Sequence, residues 1–385
     1  MTGCIIGWAH TKFGKLEDDL ESLIAGVSAE AILDAGIAPA EIGAIYVGNF
    51  GGFEPQGFVA SLALVDPALR FKPATRVENA CATGSAAIRM GLNDIAARQS
   101  RFVLVVGAEK MTAATGQVVG DVLLKASYRK EEAETEGGFA GIFGRIAQLY
   151  FQRYGDCSEA LARISAKNHA NGVENPYAHL RKDLGFDFCN AVSDKNPLVA
   201  SPLRRTDCSP VSDGAAAIVF ADTETAMRMS KAVHVRALAQ VNDYLPISRR
   251  DIVAFEGCAE AWRQAHETAG TSLDDLDLVE THDCFTIAEL IEYEAMGLAS
   301  PGQGIRAIEE GWVEKGGRLP VNPSGGLKAK GHPVGATGVS MHVMAALQLT
   351  GRAEGMQVQG AGLAGIYNMG GVAVANYVSI LERLR

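Results

Sequence analysis

Apolar and polar positions along the chain alternate between strand-like and helix-like patterns. Residues 44–48 and 102–107 are short apolar runs that end in glycine, which is typical of buried strands. Residues 84–98, between them, carry apolar side chains at helical spacing with polar ones opposite, which predicts a half-buried helix. The alternation of strands and helices predicts an α/β protein built in layers.

A weak internal repeat divides the chain into two halves. Cys81 and His332 are each followed, three residues later, by a glycine and then by small residues that open a predicted helix. Each half is therefore expected to hold a reactive side chain at a helix N-terminus. In the second half, the strand-like segments 363–367 and 372–380 are joined by a predicted turn at residues 368–371.

An insertion distinguishes the first half from the second. About 100 residues separate the predicted strand 102–107 from the next one at 215–220, and a connection that long is expected to form a subdomain of its own. This subdomain includes a predicted helical region at 146–171. The expected domains are a first half at 1–112 and 209–225, an inserted loop domain at 113–208, and a second half at 226–385.

Composition and charge narrow the class of protein. The 385 residues are 48% hydrophobic and 21% charged, a globular balance, and the net charge of −10 argues against nucleic-acid binding. No apolar run approaches the roughly 18 residues of a membrane span, and the N-terminus reads as a strand rather than a signal peptide. The seven irregularly spaced cysteines form neither a disulfide framework nor a metal-binding pattern. Reduced thiols and a cytoplasmic location are expected.

Three small-residue turns carry the candidate chemistry. Cys81 at a helix N-terminus should have a lowered thiol pKa, although a buried structural cysteine fits the local sequence equally well. His332 lies in a glycine-rich turn, and His282 and Cys284 lie two positions apart in a predicted strand-to-helix turn, with Asp283 expected to cap the helix. Two thiols and two imidazoles are what carbon–carbon chemistry on a thioester requires, because one thiolate carries the acyl group, the other exchanges a proton with carbon, and the imidazoles stabilise oxyanions.

These turns resemble those of the thiolase family along nearly the whole chain. The chain is most similar to the sterol-carrier-protein type, which has a His-Asp-Cys-Phe turn (282–285 here) where other thiolases have Asn-Glu-Ala-Phe. Further segments that fit this subtype are 167–169, 175–177, 208–216 and 293–298. The resemblance implies a five-layer αβαβα sandwich of two similar five-stranded halves with an inserted loop domain, assembled as a homodimer or homotetramer.

The resemblance also implies roles for the residues of the turns. Cys81 would be the nucleophile that becomes acylated, and His332 would activate it. His282 would help His332 to bind the thioester oxygen of the second substrate, and Cys284 would be the acid and base at the α-carbon. Acyl-CoA and CoA would be substrates, with no further cofactor and no metal.

Further positions are assigned by the same resemblance. Ser324 and Gly325 would bind CoA, and the backbone at Met369 and Gly370 would complete the acyl-enzyme oxyanion hole together with the Cys81 amide. Most thiolases have a cysteine acid/base in this C-terminal loop, and the subtype usually has a histidine near the position of Tyr367. The loop here has neither.

The expected function is therefore a thiolase-type acyltransferase of fatty-acid or lipid metabolism, which makes or thiolytically cleaves 3-ketoacyl-CoA. A ketoacyl synthase shares the turn at 331–338 but needs no second thiol, so Cys284 argues against it. A retro-aldolase related to this subtype is an alternative function, because Tyr367 stands where the subtype usually has a histidine. An acyl-CoA-binding subunit of a multiprotein complex, with a small zinc-ribbon/OB-fold partner protein, is a further alternative.

Overall fold

The computed structural model describes residues 3–64 and 66–385, and within them eleven strands and thirteen α-helices form. The strands are β1 (Gly3–His10), β2 (Ile42–Gly48), β3 (Ala74–Val77), β4 (Phe102–Glu109), β5 (Leu198–Ala200), β6 (Leu203–Arg204), β7 (Gly214–Asp222), β8 (Val233–Asn242), β9 (Leu278–Glu280), β10 (Leu363–Gly370) and β11 (Ala375–Arg383). The helices are α1 (Leu20–Ala35), α2 (Thr83–Ala96), α3 (Gly116–Leu123), α4 (Arg129–Glu132), α5 (Gly138–Tyr154), α6 (Ser158–Val173), α7 (Gly185–Asn190), α8 (Thr223–Ala226), α9 (Glu256–Ala269), α10 (Thr286–Ala295), α11 (Gly304–Glu309), α12 (Gly326–Lys330) and α13 (Thr337–Leu349). None of the helices in this described part is long and apolar enough to cross a membrane.

The strand order repeats on either side of a central seam. Nine strands hydrogen-bond in the order β3-β2-β4-β7-β1-β8-β11-β10-β9, and the seam is the short antiparallel pairing of β1 with β8. On one side follow β7, β4 and β2, and on the other β11, β10 and β9. Val321 makes a single parallel bridge to Val279 in β9, at the place that β3 has beside β2. The predicted α/β class with two similar halves is confirmed.

Helices cover both faces of each half and form the five layers. Helix α1 packs on β1, β7 and β4, helix α9 packs on β8 and β11, and α2 and α13 lie in the middle layer. Every residue of α13 is buried, because this helix contacts strands of both halves. The first turns of α2 and α13 approach closely at Gly84 and Gly338. A Cβ atom on Gly84 would lie 2.7 Å from the Val339 nitrogen, and one on Gly338 would lie 2.3 Å from the Ser85 nitrogen.

The segment between β4 and β7 contains helices α3 to α7 and the hairpin β5–β6. The predicted helical region at 146–171 is two helices, α5 and α6, because Gly155 adopts a backbone φ of 97° that ends α5. Helix α6 packs against α10 and α12 of the second half. The inserted segment therefore reaches the second half of the fold, while the domain boundaries given above stay a prediction.

The C-terminal turn lies later than the sequence pattern indicates. Strand β10 does not end at Tyr367 but continues to Gly370, because Asn368, Met369 and Gly370 remain paired with β11. The chain reverses only from Gly371, where φ is 64°. Met369 and Gly370 are thus strand residues rather than turn residues.

Candidate active site

The nucleophile turn is formed by a strained strand-to-helix connection. Cys81 lies between the end of β3 and the first residue of α2, and the Asn79 amide donates to Thr83 Oγ1 at 2.8 Å. Ala80, directly before the cysteine, has a left-handed φ of 49°, which is costly for a residue with a Cβ atom. The turn holds the Cys81 side chain in a buried position, 3% exposed.

The three turns meet at one buried point. One side-chain donor atom from each of Cys81, His282 and His332 lies within 4.8 Å of the others. The two imidazole rings pack edge to face, with centroids 5.1 Å apart and an interplanar angle of 86°. Cys284 is also buried, and it lies within electrostatic range of Cys81. The structure thus brings together all four residues to which the sequence assigned chemistry, and their individual roles stay predictions.

The protonation state of His332 follows from its contact with Thr337. The Thr337 hydroxyl lies 3.0 Å from the Pro333 carbonyl oxygen and 2.7 Å from His332 Nδ1. We infer that it donates its proton to the carbonyl, which can only accept, and that it accepts from His332 Nδ1. His332 therefore carries its proton on Nδ1, and its Nε2 keeps a lone pair. Burial, followed by the charge of Lys330, lowers the pKa of His332 to about 3, so the ring rests neutral.

His282 is held on both sides by polar groups. Its backbone amide donates to Glu292 Oε2 at 3.1 Å, and its Nδ1 lies 3.0 Å from Asn368 Nδ2. Its Nε2 is buried and has no hydrogen-bond partner among the described residues. Burial and the charges of His332 and Lys330 hold the pKa of His282 well below its usual value. The site therefore contains two neutral imidazoles.

The acidity of Cys81 differs from the sequence expectation. Burial raises the pKa of Cys81 to about 12, and the carboxylates of Glu109 and Glu78 act in the same direction. Hydrogen bonds from the amides of Gly371 and Cys81 lower the pKa but do not offset the loss of water. The expected lowering by the helix N-terminus is thus wrong. Cys81 rests as a thiol and depends on a neighbouring base for its activation.

This acidity predicts how the alkylation of Cys81 depends on pH. The thiolate fraction of a group with a pKa of about 12 grows with each pH unit, so the rate of inactivation by iodoacetamide should rise roughly tenfold per unit from pH 6 to pH 9.5. Inactivation rates measured across this range, with peptide mapping to identify Cys81 as the site, check the expectation. A plateau below pH 8 would show that Cys81 rests as a thiolate.

Cys284 and Tyr367 are two further buried titratable side chains of the site. Burial raises the pKa of Cys284 well above its usual value, and the charges of Cys81 and Glu292 add to this effect. Tyr367 is fully buried beside Cys258, and its hydroxyl donates to Asn376 Oδ1 at 2.7 Å. Cys284 and Tyr367 are therefore both protonated at neutral pH, since burial also holds the pKa of Tyr367 well above 10.

The amide next to the nucleophile comes from Gly371. Its N–H donates toward Cys81 Sγ, whereas Met369 and Gly370 are engaged in the β10–β11 pairing. Gly370 packs on the nucleophile turn, where an added Cβ would lie 2.6 Å from the Asn79 carbonyl oxygen. The Gly371 amide is thus a donor at the resting Cys81 sulfur. The assignment of Met369 and Gly370 to the acyl-enzyme oxyanion hole stays a prediction.

The residues assigned to CoA binding are held by internal contacts. The Ser324 hydroxyl donates to Glu280 Oε2 at 2.6 Å, and Gly325 packs so closely on Gly172 of α6 that a Cβ would lie 2.7 Å from its Cα. Their assignment to CoA stays a prediction. Asp283 was expected to cap α10, and this prediction is wrong. Its carboxylate instead accepts from the Leu327 amide at 2.6 Å, in the first turn of α12.

Sequence reasoning missed three residues that organise the site. Asn368 joins Cys81 to His282, Thr337 orients His332, and Glu109 accepts the Gly335 amide at 3.0 Å and so ties the His332 turn to β4. Glu109 also accepts from the amides of the loop after β2, and burial raises its pKa to about 7. Only Thr337 and Asn368 lie in motifs that the sequence singled out, and no spacing rule pointed to their partners.

The fold is a layered α/β sandwich, and the cluster places a buried cysteine beside two imidazoles. Residues 4–224 match the family model of the thiolase N-terminal domain, and residues 239–383 match that of the thiolase C-terminal domain-like family. The chain therefore belongs to the thiolase family and is an acyltransferase of the thiolase type.

Relatives and solved structures agree with this assignment. An acetyl-CoA acetyltransferase of Methanothermobacter thermautotrophicus is 37% identical, over 98% of this chain and 99% of its own. Sterol carrier protein 2 of Bos taurus is 33% identical, over 95% of this chain and 69% of its own, which confirms the predicted subtype resemblance. In fold, the chain is similar to the Ltp2-ChsH2(DUF35) aldolase, with a TM-score of 0.84 at 19% identity over 100% of this chain and 98% of the other.

Proposed function

We propose that this acyltransferase makes or thiolytically cleaves 3-ketoacyl-CoA through an acyl group carried on Cys81. The observation that supports it best is the buried meeting of Cys81, Cys284 and two neutral imidazoles. Acyl transfer alone needs one thiol and one base, whereas a second thiol beside the first suits the making or breaking of a carbon–carbon bond. Acyl-CoA and CoA are the proposed substrates, as the name of the acetyl-CoA acetyltransferase relative suggests.

In the thiolytic direction, Cys81 and His332 carry out the first step, which is the attack on the 3-ketoacyl substrate. The Cys81 thiol gives its proton to His332 Nε2, and the sulfur attacks the 3-keto carbon of the substrate. The Cys81 amide, together with an amide of the Met369–Gly370 segment, stabilises the oxyanion that forms there. Because the pKa of Cys81 is about 12 in the resting enzyme, proton removal and attack on the substrate must be closely linked.

The bond between the α-carbon and the 3-keto carbon then breaks, and Cys284 supplies the proton. The oxyanion collapses to the acyl-Cys81 thioester, the electron pair moves to the α-carbon of the leaving acetyl-CoA enolate, and this carbon takes the proton of the Cys284 thiol. A raised pKa suits this step, since Cys284 rests protonated. CoA, as a thiolate, next attacks acyl-Cys81 to release acyl-CoA. The Cys81 sulfur then takes back the proton held by His332, and the Cys284 thiolate takes the proton that the CoA thiol lost. Condensation is the reverse.

His282 and His332 form the proposed second oxyanion hole. The enolate oxygen of acetyl-CoA needs two donors, and these are the Nε2 proton that His332 acquires from Cys81 and the unpartnered Nε2 of His282. One ring nitrogen of each histidine lies within 4.8 Å of the other, which is close enough for both to contact one ligand atom. Removing one such donor typically costs about 10²–10³ in kcat.

The wider setting is proposed as follows. The protein acts in the cytoplasm, in fatty-acid or lipid metabolism, without a metal or a further cofactor and without binding nucleic acid or membrane. It is a homodimer or homotetramer. This is supported by β3, an open strand at the edge of the sheet, and by Phe58 and Phe71, which precede β3 and are 90% and 86% exposed with left-handed backbones. A small zinc-ribbon/OB-fold partner is consistent with the likeness to an aldolase solved together with a DUF35 protein.

The test is the thiolysis of acetoacetyl-CoA by the purified full-length protein. With CoA added, the wild type should convert each acetoacetyl-CoA into two acetyl-CoA, and EDTA should leave the rate unchanged. Acyl-CoA formation is followed by chromatography over a series of 3-ketoacyl chain lengths. No acetyl-CoA from any member of the series would reject the proposal.

A retro-aldolase is the second candidate, and Tyr367 is the observation that favours it. A retro-aldol cleavage removes a proton from a β-hydroxyl and needs no acyl-cysteine. The Tyr367 hydroxyl, however, donates to Asn376 and stays protonated, so it is poorly placed to be a base. Cleavage of a 3-hydroxyacyl-CoA without added CoA, at a rate unchanged by the loss of Cys81, would support this alternative.

A further inference from the structure

Asn368 connects the two turns that carry Cys81 and His282. Its Nδ2 donates to the Cys81 carbonyl oxygen at 3.1 Å and lies 3.0 Å from His282 Nδ1. Its Oδ1 accepts from the Ser85 hydroxyl, 2.8 Å away in the first turn of α2. All four groups are buried, so none of these contacts can be exchanged for water.

These contacts determine the orientation of the Asn368 amide. The Cys81 carbonyl can only accept, so the atom beside it must be the NH2 group and not the amide oxygen. The amide nitrogen has two protons, of which one points at the Cys81 carbonyl and the other at His282 Nδ1. His282 Nδ1 is therefore an acceptor and carries no proton. Since the ring is neutral, its single proton must lie on Nε2.

We propose that Asn368 is a positioning residue that holds His282 in the tautomer with the proton on Nε2. This tautomer makes the unpartnered Nε2 a hydrogen-bond donor, which is what the enolate oxygen requires. His332 is held by Thr337 in the opposite tautomer, with its proton on Nδ1 and a lone pair on Nε2. The two neighbouring imidazoles thus rest as one donor and one base. The catalytic part of this inference rests on the proposed function, whereas the tautomer itself does not.

The same assignment bears on metal binding. Cys81, His282 and His332 are close enough together to suggest a three-ligand metal site. A metal ligand needs a nitrogen lone pair, and His282 offers none, because Nδ1 accepts from Asn368 and Nε2 is protonated. The cluster is therefore arranged for proton transfer.

The direct test reads the tautomer without requiring turnover. Nitrogen-15 NMR of histidine-labelled protein distinguishes the two tautomers, and the His282 signals are identified by their loss in His282→Ala. The wild type should show His282 protonated on Nε2. Asn368→Asp has the same size but presents carboxylate oxygens that can only accept, so it should move the proton to Nδ1. Asn368→Ala, which removes the donor without adding a charge, should give a mixture of the two.

The Asn368→Asp variant also predicts a new pH dependence. Titratable and charged groups surround the His282 ring. Two of them, Asp283 and Cys284, lie on the same turn as His282, and the others lie on neighbouring elements: Cys81, His332, Lys330 and Glu292. None of these is an anion in direct contact with Nδ1, whereas the carboxylate introduced by the substitution would be, and it would raise the pKa of the ring. Protonation at low pH restores the Nε2 donor. The kcat of the variant should therefore rise as the pH falls from 9 to 6, relative to the wild type.

A double-mutant cycle separates this role from the contact with Cys81. His282→Ala and Asn368→Asp should each lower kcat on the order of 10²-fold near pH 8, with KM changed only a few-fold. The double variant should be within about threefold of His282→Ala, because Asn368 acts through a ring that is no longer present.

The outcomes are distinct for the two proposals. The role of Asn368 would be overturned if the double variant lost kcat by the product of the two single losses. It would also be overturned if His282 in the wild type were protonated on Nδ1. If the wild type does not cleave any 3-ketoacyl-CoA, the proposed function fails, and the NMR result still decides the tautomer. Circular dichroism and thermal unfolding of Asn368→Asp establish that it folds, and Asn368→Ala provides the tautomer readout if it does not.

Discussion

Replacing Cys81 with alanine should lower the thiolysis of acetoacetyl-CoA on the order of 10⁴-fold or more, because the variant has no sulfur at the position where His332 is proposed to activate the nucleophile. In the structure, both imidazoles, the Gly371 amide and the second thiol converge on this sulfur. The loss should appear in kcat, since the groups that bind CoA thioesters remain. The measurement is acetyl-CoA formation, together with mass spectrometry of protein incubated with acetyl-CoA, which should show an acetylated Cys81 in the wild type and no acetylated protein in Cys81→Ala.

Cys4→Ala is the matched control for this variant. Cys4 is also fully buried, but it lies in β1 and faces the layer of α1, away from the cluster. It should keep wild-type turnover and lose only some stability through the small cavity created. Wild-type turnover by Cys81→Ala, or acetylation at another cysteine, would remove Cys81 from the mechanism.

Replacing Cys284 with alanine should lower kcat for thiolysis by about 10²–10⁴-fold, the usual contribution of a general acid or base. The expected effect is selective. Cys284 acts on the α-carbon, whereas acyl transfer to Cys81 depends on His332, so Cys284→Ala should still become acetylated by acetyl-CoA. It should lose the exchange of the acetyl-CoA methyl protons with deuterated water, which the wild type should catalyse.

Tyr367→Phe is the control for the second thiol. Tyr367 is a buried hydroxyl within electrostatic range of Cys284, so it is the rival considered for this proton transfer. Removing its hydroxyl breaks the contact with Asn376 and should cost a few-fold in kcat at most. If instead Tyr367→Phe abolishes proton exchange and Cys284→Ala retains it, the acid and base is the tyrosine.

Local patterns in the sequence were sufficient to predict the architecture and to select the four residues that the structure brings together. The apolar run 102–107 predicted a strand, which is β4, and the helical spacing after Cys81 predicted a helix, which is α2. Both predictions succeed because secondary structure depends on side-chain periodicity along the chain. The repeat around Cys81 and His332 predicted two similar halves, which the strand order confirms. Small-residue turns around thiols and imidazoles selected the candidate residues, although at Cys81 the local sequence fitted a structural cysteine equally well.

The relations between distant residues were decided only by the tertiary structure. Spacing cannot show that Gly84 and Gly338 let two helices cross closely enough for Cys81 to meet His332, nor that Asp283 caps α12 instead of its own helix. Asn368 was taken for part of a turn, yet pairing with β11 keeps it in a strand, where it reaches His282.

The acidity of Cys81 shows the physical reason most clearly. A helix N-terminus lowers a thiol pKa, and this effect can be read from the local sequence. The transfer of the thiol out of water raises the pKa, and it depends on every layer that covers the site. Here the second effect is larger. The sequence by itself therefore determined the architecture and which side chains are candidates for the chemistry, whereas burial and contacts between the two halves decided their protonation states and which of them lie together.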